Sequence, residues 1–323
     1  MTTEPADRPA RVTAVVLNWN TADLCISTVE SLAGAFSEGL RIVLVDNGSQ
    51  DDSVARLRSF LTDRAIADAV ELVASETNLG FTGGVNLGTQ HALAANPAPD
   101  FIWLLNPDAH VVPGTARELV AVARESGAGI ASPPEGGPGN AGHGHWPRPF
   151  YLSPRTFMVR RREGERWVET DRCAGWCAVV DTRLVDALIA HDGHFEDERL
   201  FLDWDEWDLT LRAKALGWRS VAALRVAAEH DGFGRTFGTT PMAAARQYYQ
   251  SRNAVAVARR NLPAWQFWPM LAVRLGRDFS WFARLRLRGT SPNEKAYVKG
   301  LIDGLRGATG RWQHHPESPA ARR

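Results

Sequence analysis

The sequence has only three cysteines, Cys25, Cys173 and Cys177, among 323 residues. That is too few for a disulfide framework, and Cys173 with Cys177 lacks the second pair that a structural zinc site needs. All three are expected as reduced thiols, mostly in the core. Net charge is missing too: 37 Lys+Arg cancel 37 Asp+Glu, so no global basic field exists to hold nucleic acid. No run of about 18 uncharged apolar residues occurs. The opening MTTEPADRPARVTAVVLNWN has no apolar stretch of signal-peptide length after a basic start. Neither export nor a membrane span is expected, the cytoplasm is the expected compartment, and Asn47-Gly48-Ser49 is no glycosylation sequon. Hydrophobic residues make up 44% and charged residues 23%, which excludes wholesale disorder.

Two residue types are abundant instead, 28 Gly and 12 Trp. Glycine marks backbone that turns tightly or lets a neighbour approach, and tryptophan marks large interfaces or ring-stacking sites. Short β-branched runs alternate with helical spacing through the first third of the chain. Strands are expected at 12–17, 41–45, 70–73 and 101–105, and helices at 23–36, 53–61 and 84–93. This β-α-β-α order predicts an open, mostly parallel sheet with helices on both faces. Ligands of such sheets bind outside the carboxyl ends of the strands. Those ends read Asn18-Trp19-Asn20, Asp46-Asn47-Gly48-Ser49 and Asn106-Pro107-Asp108.

Order dissolves into Gly, Pro, His and Asn between 127 and 149, where a loop is expected. His143, His145, Trp146 and Trp167 fit no metal-ligand spacing. A strand at 173–180, a helix at 183–190 and a helix ending at Leu216 before Gly217 follow.

The polar strand ends each admit two readings. Asp108, after a buried strand and a Pro-containing turn, suits a divalent cation bridging a diphosphate, or is a turn acid. Asp46 is an ordinary turn residue, or its carboxylate accepts from a pyrimidine N3–H. Asn78-Leu79-Gly80-Phe81-Thr82-Gly83-Gly84 exposes backbone N–H groups before a helix, which suits a nucleotide. Its spacing is neither the dinucleotide fingerprint nor a P-loop. Asp203, Asp205, Glu206 and Asp208 lie among Trp204 and Trp207. Asp208 and Arg212 are spaced as a helix ion pair. Asp205 and Glu206 fall at a helix start, whose dipole favours a deprotonated base. His230 is a core histidine or a ligand.

Taken in order, Asn18-Trp19-Asn20, Asp46-Asn47-Gly48-Ser49, Asn78-Leu79-Gly80-Phe81 with Gly83-Gly84 and Asn86, Asn106-Pro107-Asp108, Asp205-Glu206-Trp207-Asp208-Leu209, His230-Asp231-Gly232 and Tyr248-Tyr249 with Arg252-Asn253 resemble glycosyltransferase family 2. The branch they look most like is rhamnosyltransferase-like. The resemblance implies an α/β GT-A fold: a nucleotide-sugar-binding half at 1–125, a loop at 126–150 and an acceptor half of the same domain at 151–245. A helical extension at 246–323 completes it.

It further implies an inverting transfer of a sugar, rhamnose for this branch, from a dTDP-, UDP- or GDP-linked donor to a glycan or polyprenyl-lipid-linked hydroxyl, as in polysaccharide and cell-wall synthesis. Asn18, Asn20, Asp46, Asn47, Asn78, Gly80, Asn86 and Asn106 would line the donor site. Asp108 would hold Mg²⁺ or Mn²⁺, with His230 as a further ligand. The family's Glu-Asp pair is reversed here to Asp205-Glu206, so Glu206 takes the position of the base and Asp205 stands second. A nucleotidyltransferase would need a Gly-rich, Arg- and Lys-containing loop where Asn18-Trp19-Asn20-Thr21-Ala22 stands. A catalytically silent sugar-binding protein finds support only in the reversed pair. Residues 265–288 hold six aromatics, five Arg and one Asp. They read either as a segment lying on an anionic leaflet or as a core helix with an Arg-rich outer face.

Overall fold

The computed structural model describes residues 8–64, 66, 68–134, 166–230, 241–287 and 293–314. The β-branched runs form β1 (Val12–Asn18), β2 (Arg41–Asp46), β3 (Val70–Ala74) and β4 (Phe101–Leu105). Between them lie α1 (Ala22–Leu32), α2 (Ser53–Asp63) and α3 (Gly80–Ala94). Next come β5 (Ala109–Val111), α4 (Thr115–Ser126), β6 (Ile130–Ser132), β7 (Trp167–Glu169) and β8 (Cys177–Asp181). Helices α5 (Thr182–Asp192) and α6 (Asp205–Ala215) precede β9 (Ser220–Ala223) and β10 (Ala228–His230). Three long helices close the described chain: α7 (Pro241–Asn261), α8 (Ala264–Leu287) and α9 (Glu294–Arg306).

Eight strands make one sheet in the order β3-β2-β1-β4-β8-β6-β9-β7. Pairing is parallel from β3 to β4 and between β6 and β9, whereas β8 and β7 run against their neighbours. Because successive strand residues face opposite sides, Ala14, Val16, Ile42 and Leu44 pack in one core with α1, α2 and α4. Val15, Val43, Val45 and Leu104 pack in another with α3, α5 and α6. Burial on both faces is why these strands read as continuous apolar runs. All three thiols are buried and unbridged, as expected from their number.

Three expectations change. Helix α3 starts at Gly80, four residues before the expected 84. A Cβ on Gly88 would lie 2.5 Å from Val15 Cγ1 and 2.9 Å from Val45 Cγ2, and one on Gly84 3.1 Å from Leu17 Cδ2. These glycines let the helix lie close on β1 and β2. The expected loop at 126–150 contains the end of α4 and β6, a strand of the main sheet, while His143, His145 and Trp146 lie outside the described residues. The strand expected at 173–180 is confined to β8, and residues 173–176 form the approach to it.

Helix α9 is pressed against α7. A Cβ on Gly300 would meet Ser251 Oγ at 2.0 Å and Tyr248 O at 2.3 Å, and one on Gly304 would meet Arg252 O at 2.6 Å. Two glycines one turn apart thus bring two backbones together, and Ser251 Oγ donates to Tyr297 O across the seam (2.9 Å).

Candidate active site

Register brings the first polar strand ends together, since Asn18 pairs with Asp46 across β1 and β2. Asn18 Nδ2 donates to Asp46 Oδ2 (2.7 Å) and to Ser49 Oγ (3.1 Å). Asp46 Oδ1 accepts from Ser49 N (3.0 Å). Asn20, at φ +55°, donates its N–H to Ser49 Oγ (2.9 Å) and accepts from Gln50 N (2.9 Å). A second knot joins Asn47, Asn78 and Gly80: Asn47 Nδ2 donates to Gly80 O (2.8 Å), and Asn78 Oδ1 accepts from Gly80 N (2.8 Å). A carboxylate has about four acceptor sites, so Asp46 keeps capacity beyond the bonds to Asn18 and Ser49.

Asn86 points elsewhere. Its Nδ2 donates to Glu196 O and Glu198 Oε1 (both 2.9 Å), and its Oδ1 accepts from Glu196 N (2.8 Å). It ties the first half of the chain to the segment that leads into the acids.

Asn106 N donates to Trp176 O (2.9 Å), and Pro107 O accepts from Thr28 Oγ1 (2.7 Å). The turn so fixed holds Asp108, 4% exposed, just before β5. The antiparallel ribbon of β5 and β10 sets His230 opposite Ala109, one residue from Asp108; the His230 side chain lies outside the described residues. A cavity of about 100 Å³ beside this turn, lined partly by Thr28, Pro107 and Asp108, is too small for a nucleotide. Among the described residues no three His, Cys, Asp or Glu side chains form a ligand cluster.

The acidic cluster sits in a strained loop. Phe201, Asp203 and Trp204 have φ of +66°, +62° and +72°, each costing about 1–2 kcal/mol for a non-glycine residue. Helix α7 holds them in place. Asn253 Nδ2 donates to the carbonyls of Leu200 (3.0 Å), Leu202 (2.7 Å) and Asp203 (2.8 Å). Fully buried Arg252 donates to Leu200 O (2.6 Å) and Arg199 O (3.1 Å). The Tyr248-Tyr249…Arg252-Asn253 string therefore has a concrete task that residue chemistry alone did not assign.

Within the loop the two candidate bases differ. Glu206 Oε1 accepts from Arg172 Nε (2.9 Å) and Nη2 (2.5 Å), and that guanidinium lies over the Trp207 ring at 5.7 Å. Asp205 is buried, and burial, then the charges of Glu206 and Asp203, push its carboxyl well above the usual range. The helix start was expected to keep it deprotonated; desolvation outweighs the dipole, whose contribution is about 0.3–1 kcal/mol. Glu196 is displaced upward by burial and by Asp205. Asp208, by contrast, is bonded to Arg212 Nε (2.7 Å), the structural pair that the spacing implies.

Arg246, on α7, reaches this loop. It pairs with Asp203 (3.3 Å), and Asp203 first, then Glu206 and Asp108, hold its guanidinium above its ordinary value. Arg246 thus fastens α7 to the acidic loop through Asp203.

An eight-stranded, mostly parallel sheet with acids at its carboxyl edge is the architecture of a GT-A nucleotide-sugar transferase. The family model for glycosyl transferase family 2 matches residues 13–186, more than half of the chain. The chain belongs to that family and is a glycosyltransferase. Solved structures give the same fold. A mannosyltransferase from Pyrobaculum calidifontis in complex with GDP-Man and Mn²⁺ is 18% identical with a TM-score of 0.57, over 94% of this chain and 78% of that one. Residues 1–349 of TarS from S. aureus, in complex with UDP-GlcNAc, are 17% identical with a TM-score of 0.57, over 95% and 82%. GalNAc-T7 with UDP, GalNAc and Mn²⁺ is 13% identical with a TM-score of 0.54, over 92% and 57%. No curated protein matches the chain.

Proposed function

We propose that this glycosyltransferase moves a sugar from a nucleoside-diphosphate donor to a hydroxyl of a glycan or lipid-linked acceptor, with inversion at the anomeric carbon. The observation that carries the reading is the acidic loop before α6, where Arg172 holds Glu206 and Asn253 clamps the strained backbone. Asn18, Asn20, Asp46 and Asn47 form the nucleoside wall, with Asn78, Gly80 and Asn106 around it, and Asn86 braces the wall against the acidic loop. The complexes of the fold neighbours with GDP-Man and UDP-GlcNAc support a nucleotide-sugar donor. The branch resemblance makes rhamnosyl donors the first to test.

Glu206 is the general base, held by Arg172 at the mouth of the strained loop. It takes the proton of the acceptor hydroxyl as that oxygen bonds to the anomeric carbon, and the bond to the nucleoside diphosphate breaks on the opposite face. Asp205, buried behind it, shapes the loop and is the second candidate.

Asp108 and His230 would hold Mg²⁺ or Mn²⁺. The buried carboxylate is a hard oxygen donor suited to these ions, and the β5–β10 register sets the His230 backbone opposite Ala109, the residue after Asp108. When bound, such an ion supplies charge neutralisation for the diphosphate.

Thermal-shift screening of nucleoside diphosphates and their sugars, with and without Mn²⁺, tests the donor site. Stabilisation by a diphosphate but not by the free nucleoside is expected; no response from any of them overturns the assignment.

A further inference from the structure

Among the described residues twelve large hydrophobic side chains are exposed, and nine of them lie on α8 and α9. On α8, Trp265, Trp268, Leu275 and Phe279 follow helical spacing along one face, with Leu287 at the end. Trp265 is 73%, Trp268 60% and Phe279 77% exposed. The opposite face is not idle. Phe267, Met270, Leu271 and Phe282 are buried in the core that α8 shares with α7 and α9. The helix is therefore apolar on both sides, and folding covers only one. On α9 a shorter row, Val298, Ile302 and Leu305, is also exposed.

Charge selects what covers this face. The only acid of α8, Asp278, is turned inward, where Tyr297 donates to it (2.6 Å) and Arg274 and Arg277 pair with it. The outward residues of α8 include Arg284 and Arg286, the latter paired with Glu294 of α9, and α9 adds exposed Lys295, Arg306 and Lys299, which pairs with the inward Asp303. A symmetric dimer through this face would set like charges against each other, because an isologous interface pairs a patch with itself. Tryptophan and phenylalanine on a row about 33 Å long, edged by arginine, suit the headgroup boundary of a bilayer. No helix among the described residues is long and apolar enough to cross one.

We propose that the outer face of α8, extended by α9, docks this protein flat on an anionic phospholipid surface. The inference does not depend on the donor assignment. It does set the site's orientation, because Arg274, on the inner face of α8, lies over the Trp204 ring at 5.7 Å, beside the acidic loop. A lipid-linked hydroxyl would thus meet the catalytic segment at the surface on which α8 lies.

Co-sedimentation of the full chain with vesicles tests this. Binding to phosphatidylcholine–phosphatidylglycerol vesicles, absence of binding to phosphatidylcholine alone, and weakening with salt are expected. Trp268→Glu with Phe279→Glu should lower the partition coefficient about tenfold or more. Arg284→Glu should lower it about fivefold. In the unaltered protein, brominated lipids should quench tryptophan fluorescence, a readout that no misfolded variant can confuse. Equal binding to neutral vesicles, no binding, or binding indifferent to these substitutions overturns the proposal. So does a dimer in light scattering that Trp268→Glu with Phe279→Glu dissociates. Donor-induced thermal shifts in the absence of vesicles report on the transfer reading separately.

Discussion

The strand-end knots and the acidic loop hold polar groups in opposite ways. Around Asn18, Asp46 and Asn47, side chains bond each other and nearby backbone, so each holds its neighbours in place. In the 196–206 segment, three non-glycine residues take left-handed backbone, and Glu196, Asp203 and Asp205 are all displaced upward by burial. Paired acids do sit among them. Asp197 is opposed by burial, yet Arg199 and Arg260 hold it down at about 2. The difference teaches that one region is preorganised by satisfying itself and the other by being clamped from α7 against its own strain.

The largest expected effect breaks the second region chemically. Glu206→Gln should lower turnover about a hundredfold to ten-thousandfold while leaving the donor-induced thermal shift in place. Near-normal transfer by that variant would move the role to Asp205.

The clamp comes next. Asn253→Ala leaves three loop carbonyls without their shared donor, and a loss of about 3 kcal/mol in chemical denaturation is expected. A change within about 0.5 kcal/mol would mean that the loop holds its strain unaided.

In the first region, Asn18→Ala frees Asp46 Oδ2 and should weaken nucleoside-diphosphate binding about tenfold by calorimetry. Stability should suffer less than in the clamp variant.

The smallest effect runs the other way. Asp205 has its carboxyl above the unfolded value of about 3.9, so the folded state binds more protons and stability falls as pH rises from there toward the folded value. Asp205→Asn removes that decline. Its melting temperature should exceed the parent's by a few degrees, more at about pH 8 than at about pH 5. A lower melting temperature at both would show that the buried carboxyl stabilises the loop.

Asp197 has the opposite sign. Its contribution is present above about pH 4 and is lost as pH falls toward about 2.

Much of the first region was legible because its signals are local. Strands β1 to β4 read as apolar runs, and their polar ends became the knots. Where reading fell short, the missing information came from distant residues. The packing role of Gly84 and Gly88 shows only once Leu17, Val15 and Val45 are seen beside them. Asp205 looks like a base favoured by a helix dipole until its burial is known.

The sequence by itself determined the order of strands and helices, the polar chemistry at the strand ends, and the acids at the start of α6, because periodicity and turn chemistry act within about ten residues. Tertiary structure alone decided which acid is paired and which is buried. Arg172 reaches Glu206 across 34 positions, Asn86 reaches Glu196 across 110, and Asn253 reaches the strained carbonyls across about 50. It also set which side chains of α8 face the core and which face solvent, a division that the composition of residues 265–288 does not give. Desolvation and pairing depend on what folding brings within a few ångströms, and no spacing along the chain encodes that distance.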